Sequence, residues 1–259
     1  LCMLAPRLPI DLIPIIEAAL NGRIDTVDGL RTRLEHAQEL LRDRQMQSKI
    51  ERLHWDIGFD THIGQRKAWF SQTNQDNFYF SAHDQAALFA VADGISTSTA
   101  GSGDLASRIA VAIIDKFWNE TKTEYLEMDD QEIQSHLYTM LETINYNICE
   151  FAKTQTEKPI EEEIPMGTTL VIGIARGSNV TMANLGDSRI YGVLESGLAQ
   201  ITGDQNVRGT KLRLHQPQWN SRDGAALVGH LGRFIPGEDN QWVDDLPHPD
   251  FFTINLLPG

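Results

Sequence analysis

The chain has 259 residues, of which 41% are hydrophobic and 22% charged, with a formal net charge of −14. The balance is that of a globular protein of one large domain, or one domain with an appendage, and the acidic excess disfavours a nucleic-acid backbone binder, which needs clustered Lys and Arg. No apolar run reaches the ~20 residues of a membrane span, and two distant cysteines, Cys2 and Cys149, give no disulfide framework, so a reducing cytoplasm is the expected setting.

Residues 1–52 read as a helical extension or linker. Asp11 can cap DLIPIIEAAL with Pro14 in the first turn, where its missing N–H costs little. Val27, Leu30, Leu34, Ala37 and Leu41 then form one apolar stripe at helical spacing. From about Leu53 the pattern changes to short apolar or alternating runs bounded by Gly, Asp, Asn and Ser, as strands are. These runs are LHWDIGFD, NFYFSA, ALFAVAD, GTTLVIGIA, NVTMANLG, SRIYGVL and DFFTINLL.

Two long helical segments interrupt the strands. One places Leu105, Ile109, Ile113 and Phe117 on a face, and the other Ile133, Leu137, Leu141, Ile144 and Ile148. Ser102 or Asp104 would cap the first. This order predicts an α+β fold with antiparallel sheets and helices covering one face. The acidic stretch 156–165 is expected to be a solvated connection.

Several chemistries are excluded by their missing motifs. None of the histidines stands in a zinc spacing, there is no Gly-x-Ser-x-Gly elbow, and GSG lacks the Gly-Lys-Ser/Thr of a phosphate loop. Three acidic spots remain. Asp76 stands just before a strand in NQDNFYF, Asp93 and Gly94 end one in FAVADG, and Asp187 lies in the tight loop of ANLGDSRIYG. Hard divalent cations prefer carboxylate, carbonyl and water oxygens, and a glycine lets its carbonyl approach an ion closely. Each spot alone also fits a turn.

Taken together, the order NQD, strand-ADG, two helices, GTTLVIGIA and ANLGDSRIYG resembles the metal-dependent protein phosphatases of type 2C. ITGDQN and ALVGHLGRF resemble later segments of the same family, so the likeness runs over residues 53–259. It implies a four-layer α-β-β-α sandwich, two antiparallel sheets flanked by helices, with metals at one edge. It also implies hydrolysis of phosphoserine and phosphothreonine on proteins by water activated between two Mn²⁺ or Mg²⁺ ions.

Carried over by position, Asp93 resembles the carboxylate that bridges two metals, and Gly94 the residue lending its carbonyl. Asp76 resembles the acid orienting metal-bound water, with Gln75 where some members have Glu. Asp187 resembles the acid of a third, weaker metal. Arg66 resembles the arginine that grips the substrate phosphate, with Lys67 as its competitor. The implied partners are a phosphoprotein and a fused or separate kinase or sensor module, with neither nucleic acid nor membrane.

Two departures bear on the chemistry. Ile95 follows the Asp-Gly where many members carry Met or His before paired glycines, and Ile95 cannot donate a proton. After FFTINLLPG the family continues with a strand ending in Asp-Gly and later an Asp-Asn. The sequence ends before both, so a C-terminally truncated domain is expected. The alternatives to the enzyme are a pseudophosphatase serving as a scaffold and an acidic adaptor whose Asp-Gly spots are only turns.

Overall fold

Short apolar runs in DNFYFSAH and AALFAVAD give β1 (Asp76–His83) and β2 (Ala86–Asp93). The tight turn between them puts Asp84 at a φ of 51°, a left-handed position that aspartate tolerates. The computed structural model describes residues 56–63, 73–194, 197–215, 221–224, 226–237 and 241–256. The expected helical extension over 1–52, together with Arg66 and Lys67, lies outside the described residues.

After β2 come α1 (Gly103–Thr121) and α2 (Asp130–Thr154), then β3 (Leu170–Arg176) and β4 (Asn179–Leu185), which turn at Gly177. A ribbon of β5 (Tyr191–Leu194) and β6 (Gly197–Gln200) precedes the short helix α3 (Val207–Arg213). A second ribbon, β7 (Phe234–Pro236) with β8 (Trp242–Asp244), precedes β9 (Asp250–Asn255). One five-stranded antiparallel sheet runs in the order β1-β2-β3-β4-β9. The α+β order, the antiparallel sheets and the helical layer are those expected from the sequence. One expected sheet is this five-stranded one. The other described strands pair as the two ribbons.

Both helices lie on the face carrying Leu88, Ala90, Ala92, Leu170, Ile172, Ile174, Ala183 and Leu185, all buried. Burying a side chain of leucine size is worth about 1.5–3 kcal/mol, so this layer is the main source of stability. The buried stripe of α2 is the expected one, with Ile133, Leu137, Leu141, Ile144 and Ile148 all inside. Its start is a capping box. The Asp129 carboxylate accepts from the amides of Gln131 (2.8 Å) and Glu132 (2.9 Å), while Glu132 accepts from the Asp129 amide at 2.7 Å.

The deepest stripe of α1 is shifted by one residue from the expected face. Ala106, Ala110, Ile114 and Trp118 are fully buried, whereas Leu105, Ile109, Ile113 and Phe117 pack along the flanks. Alanines weigh little in a hydrophobic pattern, yet they let the helix lie close to the alanine-rich β2. The strand expected around LHWDIGFD is a second difference, since residues 56–60 form no strand. There the Asp60 carboxylate accepts from the next amide, Thr61, at 2.8 Å, and such local side-chain bonding favours loops over ladders.

Candidate metal centre at the end of the β1–β2 ladder

Asp76 opens β1, Asp93 closes β2, and the two are directly paired in register. Directly opposed residues of an antiparallel pair share a face with Cβ atoms about 4.5–5.5 Å apart, so two carboxylates stand side by side at one end of the sheet. Asp76 is half-buried and Asp93 exposed. Asn74 sets the entry to β1, accepting from the Asp76 amide at 3.2 Å and donating to the Thr61 hydroxyl at 2.8 Å.

The corner around them is fixed to the core. The Gln75 carbonyl accepts from the Gly94 amide (3.1 Å) and from the hydroxyl of Ser107 on α1 (2.7 Å). Ser107 itself is fully buried. Ile95 donates its amide to the Gly167 carbonyl at 2.8 Å. A Cβ at Gly94 would run into the backbone of Gly103, so the absence of a side chain is what lets the start of α1 approach the strand end. Asp93-Gly94 is therefore no hairpin turn. Gly94 forms an antiparallel bridge with Thr168, which bridges Leu231 in turn.

Asp187 follows β4 on the far side of β3. Its loop is built around Gly186, whose φ is 115° and whose amide donates to the Gln205 side-chain oxygen at 3.1 Å. Asn206 donates its amide group to the Asp187 carboxylate at 3.3 Å. Arg189 grips Asp204 through two bonds of 2.7 and 2.6 Å. That guanidinium holds the Asp204 carboxyl below the usual carboxylate range. Gln205 also donates to Asp250 at 2.9 Å, joining this loop to the start of β9.

Of the residues singled out from the sequence, the fold brings Asp76, Asp93 and Gly94 together, and Asp187 lies in the loop that follows β4. Among the described residues no three His, Cys, Asp or Glu side chains converge as a metal-binding group. The pair nonetheless suits a hard cation. Its donors are oxygens, and a cation between two opposed like charges offsets their repulsion.

The sequence reading missed Ser107, Thr169 and His230. Thr169 is almost fully buried, and its hydroxyl accepts from the Asp93 amide at 3.2 Å. His230 lies beside Gly167, where an added Cβ would meet both the His230 ring and Ile95 at 3.0 Å. Its Nδ1 is buried without a hydrogen-bond partner. Burial pushes the imidazole down to about 4, and the positive charge of Arg233 adds to this. The Thr-Thr after Gly167 was a visible signal for Thr169, but its contact with Asp93 spans 76 positions. A cleft of about 520 Å³ opens elsewhere, beside Gln205, Arg213, Arg233 and His248, and neither Asp76 nor Asp93 lines it.

Comparison with known proteins agrees with this fold. The family model of protein phosphatase 2C matches residues 63–210. The serine/threonine phosphatase stp of Listeria welshimeri is 33% identical over 141 residues, 54% of this chain and 52% of that protein. The chain thus spans about half the length of the curated relatives it matches. The serine/threonine phosphatase of S. agalactiae superposes with a TM-score of 0.60 at 24% identity, covering 78% of this chain and 75% of its own. The catalytic domain of the phosphatase PstP, solved with two manganese ions, gives a TM-score of 0.50 at 20% identity over 71% of this chain and 67% of its own. With more than half its length matched by the family model and its antiparallel sheet and helices arranged as in these structures, the chain belongs to the protein phosphatase 2C family.

Proposed function

We propose that the protein hydrolyses phosphoserine and phosphothreonine on other proteins, using Mn²⁺ or Mg²⁺ held at the Asp76–Asp93 end of the sheet. The observation that carries this reading is the in-register pair of carboxylates beside Gly94. In the proposal Asp93 and the Gly94 carbonyl are ligands, Asp76 orients water, Asp187 serves an additional ion, and Arg66 receives the phosphate, all within a phosphatase domain of residues 53–259. The two manganese ions of PstP support a count of two. When bound, such cations supply the Lewis acidity that activates water and offsets phosphate charge.

The chain's own residues account for the rest. Gly94 and Gly103 in contact, with Ser107 bonded to Gln75, hold the strand end rigid, and rigid donors cost little reorganisation during reaction. Ile95 gives no proton, so the leaving oxygen takes one from water or another side chain. The substrates follow from the chemistry: a kinase, fused or separate, must supply the phosphoprotein. Two cysteines without a framework suit the cytoplasm, and no helix among the described residues is long and apolar enough to cross a membrane. Release of phosphate from a phosphothreonine peptide, measured with Mn²⁺ and with EDTA, tests the reading. Equal rates in the two conditions would end it.

A further inference from the structure

At the end of the β2–β3 ladder a backbone amide is bonded to a side chain. Where Asp93 and Thr169 meet, the Thr169 amide donates to the Asp93 carbonyl at 2.9 Å. The Thr169 carbonyl accepts from the Thr168 hydroxyl at 2.9 Å. The Asp93 amide goes to the Thr169 side-chain oxygen, at 3.2 Å. That same oxygen lies 2.6 Å from the Ser188 hydroxyl. A threonine hydroxyl has one hydrogen to give and two lone pairs, so it can accept from Asp93 and donate to Ser188 at once.

Thr169 is 2% exposed, which keeps water from replacing either partner. Its methyl side is fixed too, since a Cβ at Gly186 would come within 2.6 Å of Thr169 Cβ and Cγ2. Three neighbours therefore pin one side chain: the backbone of Asp93, the Gly186 corner, and Ser188, which follows Asp187 directly. Asp93 ends β2 and Asp187 follows β4, two strands that β3 separates in the sheet, and this hydroxyl links the backbone that carries the one to the loop that carries the other.

We propose that Thr169 is a positioning residue for the metal centre, its hydroxyl setting the backbone of Asp93 relative to the Asp187–Ser188 loop. The inference rests on the metal-centre reading above. Removing the hydroxyl while keeping the shape, as in Thr169→Val, leaves the Asp93 amide without its acceptor and releases Ser188. Groups that orient metal ligands from behind typically change affinity by about 10–100-fold.

The test is a Mn²⁺ titration of the full-length protein followed by electron paramagnetic resonance, run beside hydrolysis of p-nitrophenyl phosphate. Thr169→Val is expected to weaken Mn²⁺ binding by at least about tenfold, whereas Thr169→Ser, which keeps the hydroxyl, stays near the parent. Ser188→Ala, a milder change at the other end of the link, is expected to weaken binding in the same direction and keeps the test open should Thr169→Val misfold. Parent-like binding by Thr169→Val, or by Ser188→Ala where the first does not fold, overturns the proposal. Equal weakening by Thr169→Val and Thr169→Ser also overturns it, because the methyl packing against Gly186 would then be responsible. A parent that binds Mn²⁺ yet leaves p-nitrophenyl phosphate intact defeats the phosphatase reading alone, and a parent that binds no Mn²⁺ defeats both.

Discussion

Asp76 and Asp93 face one another at the end of the β1–β2 ladder, like charges in directly paired positions. Like charges directly opposite one another destabilise an antiparallel pair, and a cation bound between them offsets that repulsion. Asp93→Asn is expected to separate stability from function. In EDTA the variant should unfold no lower than the parent, because its like-charge opposition to Asp76 is gone. With Mn²⁺ its phosphatase rate should fall by more than about a hundredfold. A variant that is both less stable in EDTA and fully active would contradict the assignment of this pair.

Metal binding should also appear as stability in the parent. A ligand that binds only the folded state adds RT ln(1 + [L]/Kd), about 2.7 kcal/mol at a hundredfold excess over Kd. Thermal unfolding of the parent should therefore move upward with rising Mn²⁺, and the same series on Asp93→Asn should be nearly flat. Identical shifts for the two proteins would place the ion elsewhere.

How much of this was legible beforehand depended on whether the information was local. The α2 stripe is periodic and β2 is an unbroken apolar run, and the structure carries both as expected. Asp76, Asp93 and Gly94 were legible as ends of apolar runs. The true inner face of α1 was not, because Ala106 and Ala110 add little to a pattern although their small size decides the packing. Contacts that bridge the chain left weaker marks still. Nothing near Ser107 announces its bond to Gln75, 32 positions earlier, and nothing near His230 announces its place beside Gly167 and Ile95.

The Gly94–Gly103 contact gives a structural prediction independent of metals. An added Cβ at Gly94 meets backbone rather than the tip of a flexible side chain, so α1 must move away from the strand end. Overpacking of a fixed site costs typically about 1–3 kcal/mol, and Gly94→Ala should lie at the upper end by urea unfolding. Gly192→Ala is the control. Its nearest neighbour would be Ile201 Cδ1 at 3.4 Å, and its stability should stay within about 0.5 kcal/mol of the parent. Equal effects of the two substitutions would remove the packing argument.

His230 gives the clearest dependence on pH. An exposed histidine takes its proton near 6.5, while in the fold burial, aided by Arg233, delays this to about 4. Between those values the unfolded chain holds more protons than the folded one, so stability rises with pH across the window. The contribution is fully present above pH 6.5, is lost progressively as pH falls toward 4, and changes no further below it. The size is on the order of 3 kcal/mol at most. His136, also pushed down by burial, adds a slope of the same sign, as do other groups, so the informative quantity is a difference. His230→Gln should flatten the stability profile between pH 6.5 and 4 relative to the parent, leaving the profile above pH 7 parallel. Unfolding by urea at half-unit steps of pH measures it directly. Parallel profiles throughout would mean that His230 titrates alike in both states and that its ring is solvated rather than enclosed beside Gly167.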